Sequence, residues 1–245
     1  MRKFYIEVMA ERLFRFKQFS IKHDKSAMKV GVDAVMLGAW ANLNPSDKVL
    51  DAGCGCGIIG LMLAQRYKDV EIVGIDIDSL SVEEANENVL NSPWKNRINI
   101  QHIDFSKHCL DSVSVIDHIV SNPPYFDAGV DAETSARMTA RHVSDFNPLS
   151  IIVKGYKILS ESGKISMICP PDWFDKIKST ADSVGMSVSR LTGIKGNYNC
   201  DTKRIMIELS KKKVELEISE IVIEKERGVP TSEYKELTSD FYLKF

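Results

Sequence analysis

From residue 46 to about residue 210 the chain alternates short apolar runs with longer amphipathic ones. VLDAG, EIVGIDI, INIQHI, SVIDHIVSN and GKISMICP are rich in β-branched residues and end on Gly, Asp, Asn or Pro, which predicts strands. IIGLMLAQRY, SVEEANENVL, PLSIIVKGYKIL and PDWFDKIKSTADSV repeat apolar residues at helical spacing. Ser81 with Glu84 fits a capping box at the start of the second helix. Strand–helix alternation predicts an α/β fold with a mostly parallel sheet and helices on both faces. SVSRLTGI and RIMIELS have no long helix between them, so the last strand pair is expected to be antiparallel.

The flanks depart from this rhythm. FRFKQFSI reads as a strand and VDAVMLGAWANL as a helix. After Lys211, VELEISEIVIE reads as another strand, followed by a polar stretch ending in DFYLKF. Residues 1–45 are therefore expected to form an N-terminal extension, and 46–245 one domain with a C-terminal tail. A chain of 245 residues can bury a full core in such a unit.

Composition narrows the class. With 44% hydrophobic and 27% charged residues the chain resembles an ordinary globular protein. No apolar run approaches a membrane span. MRKFYIEVMAERLFRF interleaves charge too closely for a signal peptide, so a cytoplasmic protein is expected. The cysteines, at 54, 56, 109, 169 and 200, are odd in number and not spaced as a disulfide framework. Cys54 and Cys56 alternate with glycines and have no nearby His or Cys at ligand spacing, so no metal is expected. The net charge of −2 excludes a wholly basic nucleic-acid coat. Arg12, Arg15, Lys17, Lys22, Lys25 and Lys29 nevertheless cluster, either to meet phosphates or as a solvated face.

VLDAGCGCGIIGLMLA joins a strand to a helix through Gly53, Gly55 and Gly57, as a tight turn near a ligand requires. Gly55-x-Gly57-x-x-Gly60 fits a dinucleotide pattern but is compatible with several nucleotide ligands. Asp51 precedes the glycines. Asp76 ends the next strand, about twenty residues on, where an acid accepts from ribose hydroxyls; Ile77 follows it. Asp78 competes for that role, with its place beside a helix N-terminus as the simpler explanation. Asp104 ends INIQHI, placed to accept from an adenine amine with Phe105 beside the ring. NAD and S-adenosylmethionine are the rival ligands. Only the second needs a carboxylate such as Asp51 for an ammonium group.

Ser121-Asn122-Pro123-Pro124-Tyr125-Phe126 directly follows the strand VIDHIV. Two prolines force the chain out of the sheet at the carboxyl end of a strand, where α/β sheets bind ligands. An exocyclic amine is a weak nucleophile because its lone pair is delocalised. The Asn122 oxygen and the Pro123 carbonyl can each accept one N–H and aim the lone pair at a methyl group. Pro123 and Pro124 pre-organise the backbone, and Tyr125 offers a stacking face for an extruded base.

DAGCGCG, GIDID and SNPPYF resemble the motifs of class I amino-methyltransferases. FRFKQFSIKHDKSAMKVGVDAVMLGAWA and YKELTSDFYLKF resemble the bacterial tRNA1(Val) (adenine37-N6)-methyltransferase family, nearly end to end. The resemblance implies a Rossmann-like fold with a mostly parallel seven-stranded sheet. It also implies S-adenosylmethionine as methyl donor and adenine 37, in the anticodon loop of a valine tRNA, as target. It maps cofactor contacts onto Asp51, Gly53, Gly55, Asp76 and Asp104, and the base pocket onto Asn122 to Tyr125. Arg137, Arg141 and His142 correspond to a basic stretch in the family, expected near substrate or else as solvated helix charges; Lys17, Lys22, Lys29 and Phe126 are further candidate substrate contacts. Glutamine methylation of a protein is the nearest alternative, and methylation of another RNA or DNA amino group is a further one. An NAD-dependent oxidoreductase leaves SNPPYF unexplained, and a non-catalytic RNA-binding module leaves Asn122 unexplained.

Overall fold

A computed structural model describes residues 13–26, 29–105, 115–125 and 146–244. FRFKQFSI is not one strand but a hairpin, because the polar pair Lys17-Gln18 interrupts the alternation. β1 (Leu13–Arg15) and β2 (Ser20–Lys22) pair antiparallel, and the Phe16 N–H donates to the Phe19 carbonyl at 2.8 Å to close the turn. The chain then forms α1 (Val32–Trp40), β3 (Lys48–Ala52), α2 (Ile58–Arg66), β4 (Glu71–Asp76), α3 (Ser79–Leu90), β5 (Ile98–His102) and β6 (Ile116–Ser121). It continues through α4 (Pro148–Ile158), β7 (Leu159–Cys169), α5 (Phe174–Val184), β8 (Ser187–Asn197) and β9 (Arg204–Ser210). It ends with β10 (Glu217–Glu226), β11 (Val229–Pro230) and α6 (Ser232–Thr238).

The main sheet runs β11-β10-β8-β9-β7-β6-β3-β4-β5. β7, β6, β3, β4 and β5 are mutually parallel, and β9 is antiparallel to both β7 and β8, as expected for the last pair. Among the described residues the sheet has nine strands rather than seven. VELEISEIVIE adds itself in parallel to β8, and β11 closes the edge.

Apolar layers cover both faces. Val35 and Leu37 of α1 pack with Leu61, Met62 and Leu63 of α2 on one side. Ile151 and Ile152 of α4 and Ile177 of α5 form the other. β3 and β6 are sandwiched between these layers, which is why KVLDA and IDHIVS are nearly continuous in burial.

The capping box expected at Ser81 and Glu84 is not formed. Asp78 is the N-cap of α3, accepting from the Ser81 N–H at 3.0 Å and the Ser81 hydroxyl at 2.6 Å, so Ser81 lies inside the helix. Glu84, buried, accepts instead from the Asp24 N–H at 2.6 Å, the Lys25 N–H at 2.9 Å, and the Ser26 N–H and hydroxyl. A capping box does occur at α4, between Asn147 and Ser150. At the other end of the chain, the Lys17 N–H donates to the Phe241 carbonyl and the Lys17 ammonium to the Ser239 carbonyl, so hairpin and tail meet. Among the described residues no helix is long and apolar enough to cross a membrane.

Candidate active site

The sheet order puts the carboxyl ends of β6, β3, β4 and β5 side by side. Each end delivers one polar group, and the Ser121 hydroxyl donates to the Ala52 carbonyl at 2.7 Å, tying the end of β6 to that of β3.

Asp51 is 1% exposed at the end of β3. Its Oδ2 accepts from the Gly60 N–H at 3.0 Å, and its Oδ1 has no partner among the described residues. Burial pushes this carboxyl up to about 7, the Gly60 N–H pulls it down, and the neighbouring Asp76 charge raises it further. A buried acceptor left open beside a ligand loop is suited to a cationic donor. Gly53, Gly55 and Gly57 all take the left-handed conformation, and Gly57 caps α2. A Cβ at Gly55 would meet no described atom within 4 Å, whereas one at Gly53 would strike Phe146 Cε1 at 2.7 Å. The loop is thus open to a ligand at Gly55 and covered by an aromatic ring at Gly53.

Asp76 holds that loop. Its Oδ2 accepts from the Gly55 N–H at 2.8 Å and its Oδ1 from the Asp78 N–H at 2.9 Å. Asp78 is spent on capping, which leaves Asp76 as the acid facing the loop. Burial raises the Asp76 carboxyl above its ordinary value. Ile77 is exposed beside it, and its carbonyl contacts His102 Nε2 at 2.8 Å. Asp104 follows β5. Phe105 is buried, edge-on to Phe146 with centroids 5.6 Å apart.

Asn122, Pro123, Pro124 and Tyr125 leave β6 next to the glycine loop. The Tyr125 hydroxyl lies within hydrogen-bonding distance of Asn122 Oδ1 and, at 2.5 Å, of the Ile168 carbonyl. Burial raises the phenol far above its ordinary value, so it stays a neutral donor. The Tyr125 ring faces the Arg204 guanidinium, 5.8 Å from the ring centroid, and Arg204 Nε donates to Asp33 Oδ2 at 2.8 Å.

The structure therefore gathers Asp51, the glycines, Asp76, Ile77 and Asn122 to Tyr125 along one sheet edge. The basic residues lie along α3, where the Asn88 amide donates both to the Lys22 carbonyl and to the Cys56 carbonyl of the glycine loop. Lys22 pairs with Glu87 at 2.5 Å, Lys25 pairs with Glu83 at 2.7 Å, and Lys29 donates to the His23 and Asp24 carbonyls. Phe126, Arg137, Arg141 and His142 lie outside the described residues, as do Arg12 and Cys109. Cys54, Cys56 and Cys169 are buried thiols. Sequence reasoning missed Phe146, Asp33 and Arg204. The antiparallel reading of the last strand pair was the available signal for Arg204, because it returns the first residue of β9 to the ligand edge.

This fold and this row of carboxylates beside an Asn-Pro-Pro-Tyr exit define a class I S-adenosylmethionine-dependent methyltransferase. Residues 31–169 match the family model described as methyltransferase small domain. The fold resembles a predicted O-methyltransferase from Agrobacterium tumefaciens (TM-score 0.67, 18% identity, 85% of this chain and 96% of that one). A second fold neighbour is the Pyrococcus horikoshii TYW2 complex with MeSAdo (TM-score 0.55, 17% identity, 81% and 70%). More specifically, the chain belongs to the tRNA1(Val) (adenine(37)-N6)-methyltransferase family. The member from Trichodesmium erythraeum is 38% identical over 97% of this chain and 100% of its own length. That from Flavobacterium psychrophilum is 38% identical over 95% and 100%.

Proposed function

We propose that the protein transfers the methyl group of S-adenosylmethionine to the exocyclic N6 amine of adenine 37 in a valine tRNA. The observation that carries this is that Asn122, whose Oδ1 accepts from the Tyr125 hydroxyl, leaves β6 beside the acid-lined edge of β3, β4 and β5; the Pro123 carbonyl is the second acceptor in this reading. The residues fit the cofactor: the open Oδ1 of Asp51 suits its ammonium, the Asp76 carboxylate its ribose, and the space above Gly55 its backbone-hugging end. Ile77, Asp104 and Phe105 belong to the adenine end in this reading. When bound, S-adenosylmethionine supplies an electrophilic methyl carbon.

In the resting protein the Tyr125 hydroxyl satisfies Asn122 Oδ1. The incoming amine replaces it there, and the phenol keeps the Ile168 carbonyl. With one N–H held by Asn122 and the other by Pro123, the nitrogen lone pair points along the line of attack. The amine so held would take the methyl group as its bond to sulfur breaks, and the spare amine proton would pass to solvent. The Tyr125 ring supports the base by stacking.

For the RNA we infer that the anticodon loop is bound, where unpaired nucleotides lower the cost of extruding the base. Residues 1–45, as an extension of the 46–245 methyltransferase domain, contribute Lys17, Lys22 and Lys29 to phosphates, with Phe126, Arg137 and Arg141 nearer the base. Phosphates must compete with Glu87 for Lys22. A cytoplasmic location follows from such a substrate. Incubation with labelled S-adenosylmethionine and unmodified tRNA, followed by nucleoside analysis, should give N6-methyladenosine at position 37. Label recovered in a protein glutamine instead would overturn this reading.

A further inference from the structure

Arg204 stands at the first position of β9, on the ligand edge, and sequence separates it widely from the site it touches. Two anchors fix its guanidinium. Nε donates to Asp33 Oδ2 at 2.8 Å, and Nη1 donates to the Lys203 carbonyl at 2.9 Å. Asp33 lies in the first turn of α1, so the arginine bridges that helix to the antiparallel strand. Held this way, its charge lies against the Tyr125 ring, inside the roughly 6 Å range of a cation–π contact.

Tyr125 needs such support. Regular strand pairing ends at Ser121, and the two following prolines offer no backbone N–H. The ring is held at its hydroxyl by Asn122 and Ile168, and the guanidinium is the charged contact on its face. A ring free to tilt would shift its hydroxyl and with it Asn122 Oδ1, and that oxygen must be in place when the amine arrives.

We propose that Arg204, fixed by Asp33, is a positioning residue for methyl transfer: it holds the Tyr125 ring and thereby the orientation of the Asn122 amide. This rests on the methyl-transfer reading above. Its partial neutralisation by Asp33 makes it less suited to gripping a phosphate than to bracing a ring. Asp33 belongs to the same device, linking the start of α1 to the catalytic loop.

The test compares the parent with Arg204→Gln and Arg204→Lys, each alone and combined with Tyr125→Ala. Methyl transfer to unmodified tRNA, thermal stability and NMR of 13C-labelled tyrosine rings are measured. Arg204→Gln should lower kcat about tenfold, as small misplacements at reacting atoms do, while KM for S-adenosylmethionine and Tm stay close to the parent. Arg204→Lys should recover most of the rate, because a cation remains over the ring. In the Tyr125→Ala background, Arg204→Gln should add nothing, the signature of two residues acting as one unit. The Tyr125 ring signals should shift and broaden in Arg204→Gln. A raised KM for tRNA at unchanged kcat, additive losses, or a rate loss that follows Tm and resists lysine would each overturn the proposal. The ring signals report independently of turnover. If they are unchanged in Arg204→Gln the bracing is absent whatever the substrate, whereas a parent inactive on tRNA with responsive ring signals would count only against the substrate assignment.

Discussion

The Asp76 carboxylate accepts the Gly55 backbone N–H at 2.8 Å, so the acid at the end of β4 fixes the loop that follows β3. One side chain thus shapes the glycine turn and, in the reading proposed above, meets the cofactor. Replacing it by Ala removes charge-assisted hydrogen bonds of about 1.5–3 kcal/mol. S-adenosylmethionine affinity should fall by roughly tenfold or more in calorimetry, and NAD should not bind. NAD binding tighter than S-adenosylmethionine would reverse the cofactor assignment.

Gly53 and Gly55 should separate under mutation. Both have positive φ, so Ala carries a backbone cost of about 1–2 kcal/mol at either. Gly53→Ala also collides with Phe146 and should lower Tm more. Gly55→Ala meets no described atom within 4 Å and should weaken cofactor binding more than it lowers Tm. Equal Tm losses with equal affinities would contradict the picture of an open cradle at Gly55.

Asp51 carries a pH dependence with a definite sign. Its carboxyl rises from an ordinary 3.8 to about 7 on folding, chiefly through burial. Between those values the folded state holds more protons than the unfolded one. Its stabilising contribution is therefore complete below about pH 4 and is lost as pH rises through about 7, by up to about 1.4 kcal/mol per pH unit. Without cofactor, Tm should fall from pH 5 to 7.5, and Asp51→Asn should flatten the slope. Asp76 is shifted the same way and leaves a residual slope. An unchanged slope in Asp51→Asn would show that another group titrates.

Glu84 should behave oppositely. Burial alone would raise its carboxyl, but hydrogen bonds from Ser26, Lys25 and Asp24 outweigh it and hold the group below 4.5. Its contribution is present above that value and disappears as pH falls through the lower folded one. Glu84→Ala should cost roughly 3 kcal/mol by leaving several donors unpaired, measurable by urea denaturation at pH 7. A loss below 0.5 kcal/mol would mean that solvent replaces those bonds.

Asn122→Ala should reduce turnover about 10²–10³-fold while cofactor and tRNA still bind, since a pre-organised transition-state partner is lost. Single-turnover rates with saturating tRNA give the comparison, and near-parental turnover would discard the lone-pair mechanism.

The glycine loop, Asp76 and Asn122 were legible because each lies at the end of an apolar run, and parallel alternation brings such ends together. Local chemistry and sheet topology agree there. What escaped depends on distant partners. Arg204 meets Asp33 across 171 residues, and nothing in RIMIELS shows which helix its side chain will find. Ser81 and Glu84 have the spacing of a capping box, but Asp78 is a better cap one turn earlier and the loop at 24–26 claims the glutamate. The tail run VELEISEIVIE read correctly as a strand. Its place beside β8, which widens the sheet, follows from edge pairing that no local pattern encodes.

The bond between Lys17 and Ser239 spans 222 residues, and this has a bearing on how the molecule comes into being. As the polypeptide is synthesised, the β1–β2 ribbon leaves the ribosome long before α6 exists. Two strands alone are marginal in water, and contacts between remote residues form late because closing a long loop must precede its reward. The glycine loop and its acids come from adjacent strands made in quick succession. A nascent copy is thus expected to shape its glycine loop before its two ends meet, so the joining of hairpin and tail marks the finished chain.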